Sequence, residues 1–304
     1  SYVGSFDDVG EYYKTSWAFS NMLQNSEKYI AEAVSHENGH AVGLHHMGTT
    51  SGVTYYQGQG DWAPIMGNSY YKNVTQWAKG EYTGANNTED QLQVMQNYGL
   101  AYYADDYGNA VDSASMLPIG TSLSATGFIE RNTDVDVFKF AAGAGALSLS
   151  VTPSPLGPNL KILAELRDSG GTVLASSSLS NLGASISATV GAGNYYLAIS
   201  GVGSGDPLTT GYSDYASLGQ YVITGTVADP GSVMPPTAVL SASTTSGEAP
   251  LAVSFSSSGS TDDSGIAGYA WNFGDGTPVS KDPHPVHTYA SAGKFTATLT
   301  VTDN

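Results

Sequence analysis

The densest chemistry in this chain lies in one short run, His36-Glu37-Asn38-Gly39-His40-Ala41-Val42-Gly43-Leu44-His45-His46. It reads H-E-x-x-H-x-x-G-x-x-H. Two histidines four apart on a helix sit one turn apart on one face, so both rings reach one metal ion. Glu37, beside the first, is placed to act on water bound to that ion. Gly43 can adopt the backbone angle that stops a helix and turns the chain. That turn brings His46 back as a third ligand. Three imidazoles with a fourth position left open make the donor set of a catalytic zinc site, because structural sites fill all four positions with protein. His45 falls out of ligand register and is read as solvent-facing or as a support behind the ligands, with ligand exchange as the other case.

A helix must present this motif. Asn25-Ser26-Glu27-Lys28 offers a cap and an acidic first turn. Ile30, Ala33, Val34 and Ala41 recur at helical spacing and predict a buried face. Further on, Thr88 opens a Thr-x-x-Gln capping box, Leu92, Met95 and Gln96 follow, and Gly99 marks a stop. Upstream, residues 2–6 and 17–23 are candidate strands, the second a candidate edge for an extended peptide substrate.

Downstream of the third histidine stands Ala63-Pro64-Ile65-Met66-Gly67. Together the two segments resemble the metzincin clan of zinc endopeptidases, in which a tight turn carries a Met beneath the metal. The resemblance makes Met66 that methionine and lets residues 64–71 shape substrate preference. It implies zinc held by His36, His40 and His46, Glu37 as general base, and a protein or peptide as substrate. The chain departs from the pattern at two places. Asn68 stands where some members carry a metal-binding Tyr, and Met47 stands where many carry an Asp after the third His. No Tyr is therefore given a catalytic role, and no other cofactor-binding residue is assigned.

Composition frames these motifs. The chain has 304 residues, 10 Lys plus Arg against 27 Asp plus Glu, a net charge of −17 and no cysteine. So acidic a surface argues against nucleic acid or an anionic membrane as partner, and it leaves calcium at carboxylates open as a structural cofactor. Zero cysteine removes disulfides and thiol chemistry. No apolar run is long enough for a membrane span. The expected setting is extracellular, as for a secreted bacterial protein, and a start at Ser1 is read as a processed or truncated piece of a longer precursor. An upstream segment of that precursor is a candidate partner.

The expected fold class is multidomain: an α+β zincin part over residues 1–110, short at its N-terminal side, then two all-β sandwiches. Residues 111–228 show period-two alternation at Asn132-Thr133-Asp134-Val135-Asp136-Val137-Phe138-Lys139-Phe140, with further strands expected at 147–151, 160–167 and 194–199. Asp134-x-Asp136-x-Phe138 and Gly193-Asn194-Tyr195-Tyr196-Leu197 resemble the bacterial pre-peptidase C-terminal (PPC) domain. Asp134 and Asp136 are read as a solvated strand face with a turn, with calcium binding as the other use. Residues 229–236 form a proline-stiffened linker. Residues 237–304 resemble a PKD domain, an immunoglobulin-like sandwich, on Ala249-Pro250-Leu251-Ala252-Val253-Ser254-Phe255, Tyr269-Ala270-Trp271-Asn272-Phe273-Gly274-Asp275-Gly276 and His287-Thr288-Tyr289. Trp271 is its expected core aromatic, and His284 and His287 are read as structural. The competing reading is an inactive remnant whose sandwiches bind or build an extracellular surface, fibres included.

Overall fold

A computed structural model describes residues 18–118, 120–230, 236–262 and 266–303; the expected strand at 2–6 and residue Trp17 lie outside these. The chain divides into two compact units, Ser1–Ala228 and Asp229–Asn304. Most regular structure is β, with two α-helices among the described residues.

The first helix, α1 (Glu27–Ala41), starts where the sequence predicts. Ser26 is its N-cap, its side chain accepting from the Tyr29 amide, and Glu27 places negative charge at the positive end of the helix. The expected strand at 17–23 does not form over its described residues; Ser20 to Asn25 form turns closed by bonds to the Phe19 and Ser20 carbonyls. Phe19 and Met22 point to solvent there, and among the described residues no strand pairs with this segment. Val34 is likewise exposed, and α1 buries Glu32, Ala33, Gly39 and His40 instead. That narrow stripe meets Ser69 and Thr75 through Glu32 and the buried Met66 at Gly39.

After the motif come two three-residue strands, β1 (Trp62–Pro64) and β2 (Val74–Gln76), paired in parallel. Helix α2 (Gln91–Asn97) follows. Its cap is Asp90, whose carboxylate accepts from the Gln93 amide at 2.9 Å, rather than the expected Thr88. Both Thr88 and Asp90 can cap; Asp90 prevails because Tyr215 also donates to its carboxylate at 2.5 Å and fixes it. Gly99 takes φ +88° as the predicted stop.

A two-sheet sandwich fills the rest of this unit. Its strands are β3 (Ser115–Met116), β4 (Ser122–Ile129), β5 (Val135–Ala142), β6 (Gly145–Pro153), β7 (Ile162–Arg167), β8 (Val173–Ser177), β9 (Ala184–Val190), β10 (Gly193–Gly201) and β11 (Gly219–Thr226). One sheet runs β3-β5-β10-β7-β8 and the other β4-β11-β6-β9. Leu147, Leu149 and Val151 of β6 and Ile162, Ala164 and Leu166 of β7 alternate inward and meet Phe138, Phe140 and Leu197 in the core. The three expected segments at 147–151, 160–167 and 194–199 fall within or across β6, β7 and β10.

The reading of Asp134 and Asp136 as a solvated face is overturned, since they are 2% and 0% exposed. Strand β5 is covered on both sides: Val137 packs with Tyr196 and Ala198, while Phe138 and Phe140 enter the main core. Asp136 shares the inward parity of Phe138 and Phe140, and Tyr221 of β11 donates to it at 2.5 Å.

The second unit holds β12 (Ser241–Ala242), β13 (Leu251–Ser256), β14 (Ile266–Asn272), β15 (Val286–Tyr289) and β16 (Thr298–Asp303) in sheets β12-β13-β15 and β14-β16. Trp271 is fully buried against Phe255, with Val253 and Phe273 completing the core. His287 stacks flat on Phe273 at 4.0 Å and its Nε2 meets Asp275 Oδ2 at 2.7 Å. Gly274 and Gly276 adopt φ +76° and +83° around Asp275, the turn the Asp-Gly pair predicts.

Candidate metal centre

Three rings converge at the C-terminal end of α1. The ligand nitrogens of His36, His40 and His46 lie within 4.8 Å of one another. His36 and His40 face each other across one helical turn, with ring centroids 5.0 Å apart. The helix stops at Ala41, Gly43 takes φ +84°, and the chain doubles back. His46 then comes within 2.9 Å of His40, Nε2 to Nε2.

The hydrogen bonds decide which nitrogens are free. His36 Nδ1 lies 2.7 Å from the Ile65 carbonyl and His40 Nδ1 lies 2.8 Å from the Leu44 carbonyl. A carbonyl only accepts, so both Nδ1 atoms carry the proton. Both Nε2 atoms therefore keep a lone pair, and His46 donates into that of His40. A cation would replace that one shared proton. Carbonyl-held Nδ1 atoms are the usual orientation of metal-binding histidine rings, and the donor set suits zinc.

Burial lowers the pKa of His36, partly offset by the Ile65 bond. Burial, then the neighbouring His40 and His36 rings, lower His46 to about 4. The neutral, ligating form of both is thus favoured.

The Ile65 carbonyl belongs to the segment expected to carry the methionine. Pro64 to Gly67 form a turn closed by Gly67 N to Pro64 O at 2.9 Å, and Met47 N donates to the Met66 carbonyl at 2.8 Å. Met66 is fully buried. Its sulfur lies so near Gly39 that a Cβ there would come within 2.4 Å of it. The turn therefore touches the helix between its two histidines and also orients one of them.

Glu37 is half-buried on α1 beside His36, and its charge acts on His36, His46 and Tyr70. Burial first, then Glu37 and Glu32, raise the Tyr70 hydroxyl pKa. Tyr55 lies over His46 at 4.4 Å between centroids.

Several supporting residues went unread in the sequence. Glu32, one turn before His36, accepts from Lys28 at 3.1 Å, Ser69 at 2.6 Å and Thr75 at 2.8 Å. It ties α1 to the loop after Met66, and its i, i+4 relation to His36 was the available signal. Glu89 accepts from the His45 amide at 2.8 Å and meets His45 Nδ1 at 3.0 Å, and Asn87 donates to the His46 carbonyl at 3.3 Å. These two brace the loop where Met47 replaces the Asp of the resembled pattern. Nothing in spacing ties them to residue 46.

The other end of the chain has a family. Residues 233–304 match the sequence profile of the PKD domain. This end is a PKD domain. Its Trp271 core and its Asp275-Gly276 turn are the features described above. Among solved structures, the pre-peptidase C-terminal domain of a Bacillus anthracis collagenase is similar at 16% identity, over 37% of this chain and 94% of that one, with a TM-score of 0.28. The Aeromonas hydrophila PliG, a periplasmic inhibitor of g-type lysozyme, is similar at 10% identity over 37% and 96%, with a TM-score of 0.27.

Proposed function

We propose that this protein is a zinc-dependent endopeptidase that acts outside the cell, with the β3–β11 sandwich as a PPC-like accessory module and the PKD domain beyond it. The observation that carries this reading is the convergence of the His36, His40 and His46 rings with two Nδ1 atoms held by carbonyls, beside Glu37. Zinc, when bound by these three rings, supplies Lewis acidity and brings the pKa of its water near neutrality. Glu37 accepts a proton from the attacking water on its carboxylate and returns it to the leaving amine nitrogen. The turn at 64–67 holds His36 in the ligating tautomer, and residues 64–71 border the substrate.

A second reading, an inactive binding or surface protein, draws on one observation. Among the described residues the sheet around the site is only β1 and β2, so the α+β part is slighter than the resemblance implies. Casein hydrolysis by the chain and by Glu37→Gln, with zinc measured in both, separates the two. One zinc in each and hydrolysis by the unmutated chain alone supports the peptidase. One zinc in each and hydrolysis by neither supports the second reading.

A further inference from the structure

A pocket of about 390 Å³ lies between the part carrying the three histidines and the sandwich, within the first compact unit. That volume is in the range of small-ligand sites. The buried Ile65 and Gln76 form its floor together with Trp77. Leu92, Met95 and Leu100 line one side, Phe128 and Leu218 the other. Leu100 and Tyr103 are 44% and 74% exposed, so they mark the mouth. The Tyr103 and Phe128 rings stand 5.2 Å apart there, and the Arg131 guanidinium lies 5.1 Å over the Tyr102 ring and steadies it.

The polar groups of the lining are largely committed within the protein. Gln76 Nε2 donates to the Asn159 carbonyl at 2.8 Å, Asn159 Oδ1 accepts from the Thr75 amide at 2.9 Å, and Gln96 Nε2 donates to the Leu92 carbonyl at 3.2 Å. Glu130, the charged residue of the lining, already accepts from Arg131 at 3.1 Å. A hydroxyl-rich ligand would give up its waters there for few partners. A ring or a branched apolar side chain would meet aromatic and aliphatic walls. The segment along the mouth supplies the rest. Among the described residues, the amides and carbonyls of residues 101–106 make no backbone–backbone hydrogen bond, which leaves them open to pair with an extended peptide. Asp105 and Asp106, just past Tyr103, disfavour an acidic one. We propose that this pocket is a second binding site for protein substrates: it takes an aromatic or leucine side chain of a non-acidic segment whose main chain lies along residues 101–106. That the bound polypeptide is a substrate rests on the peptidase reading; the binding does not. The site also adjoins the histidines. The Ile65 carbonyl holds His36 Nδ1 at 2.7 Å, and the Trp77 ring comes within 3.2 Å of where a Cβ on Gly39 would stand.

The test titrates N-acetylphenylalanine amide into the full chain carrying carbon-13 methionine methyls, with and without zinc. Met95 lines the pocket, and Met95→Leu assigns its signal. The expected result is a saturable shift of the Met95 methyl with a dissociation constant in the millimolar range, as suits so small a probe. N-acetylglycine amide and glucose should leave it in place. Tyr103→Ser and Leu100→Ser, both at exposed positions, should each weaken binding roughly fivefold. In casein hydrolysis Tyr103→Ser should raise KM by a similar factor and leave kcat unchanged. An unmoved Met95 signal overturns the site, and so does unchanged affinity in both variants. An equal shift with glucose or the glycine amide overturns the ligand class. Probe binding with an unchanged casein KM overturns the role in substrate capture. Probe binding by a chain that hydrolyses no casein upholds the pocket and overturns the peptidase reading instead.

Discussion

Asp134 and Asp136, buried in the sandwich, make stability depend on pH in an unusual direction. Burial is the largest cause in both aspartates. It lifts Asp134 to about 8 and Asp136 to about 7, from 3.8. The folded chain therefore binds more protons than the unfolded chain between those values. The stability tied to this protonation is fully present below pH ~4, falls as pH rises, and is gone above the folded values. For Asp136 alone the shift corresponds to roughly 4 kcal/mol. The perturbation is pH, and the assay is the urea midpoint of the calcium-free chain at pH 5 and at pH 8. The midpoint should fall from pH 5 to pH 8. Asp136→Asn should flatten the calcium-free profile, which separates this effect from His36 and His46, whose lowered pKa values act in the opposite direction. A flat calcium-free profile in the unmutated chain would refute the reasoning, because the aspartates would then be ionised in the fold.

Other consequences follow from the metal centre. Gly43→Ala forces an alanine to φ +84° and sets its Cβ 2.6 Å from the Tyr98 ring; thermal unfolding should show a loss of about 1–3 kcal/mol, and zinc retention against a chelator should fall as His46 shifts. Glu89→Gln combined with Asn87→Ala removes the brace on the His45–His46 loop, and zinc affinity by competition should drop ~10-fold with the far-ultraviolet spectrum unchanged.

The three-histidine cluster was legible because its geometry is local. Helical spacing and one glycine suffice to bring His36, His40 and His46 together. The Pro64–Gly67 turn was equally readable as a turn, while its contact with His36 depends on the fold and not on spacing. The sandwich strands β6, β7 and β10 announced themselves as short apolar runs between turn residues. Asp134 and Asp136 did not, because alternation with Val135 and Val137 looks the same whether one face or both are covered. The strand expected at 17–23 failed for the converse reason: an apolar run has β potential only where a partner sheet exists. Thr88 lost the cap of α2 to Asp90 through Tyr215, 125 residues away, a competition no local rule contains.

That last contact is one of several that make the part carrying the three histidines depend on the sandwich. Its core of Val42, Leu44, Met47, Trp62, Met66 and Val74 also takes in Leu182 and Tyr212. Asn159 accepts from the Thr75 amide at 2.9 Å and Gln76 donates to the Asn159 carbonyl at 2.8 Å, so β2 is held from outside its own pair. Gln59 donates to the Pro207 and Gly211 carbonyls at 2.7 Å each. Among the described residues of this part, two helices and a pair of three-residue strands are little regular structure with which to offset chain entropy alone. Expressed by itself, that part should show no cooperative thermal transition and no stoichiometric zinc, while residues 1–228 should show both by calorimetry and metal analysis. A cooperative transition with one zinc in the 1–110 piece would mean that the sandwich is an appendage, and that the contacts through Asn159, Leu182 and Tyr212 add little.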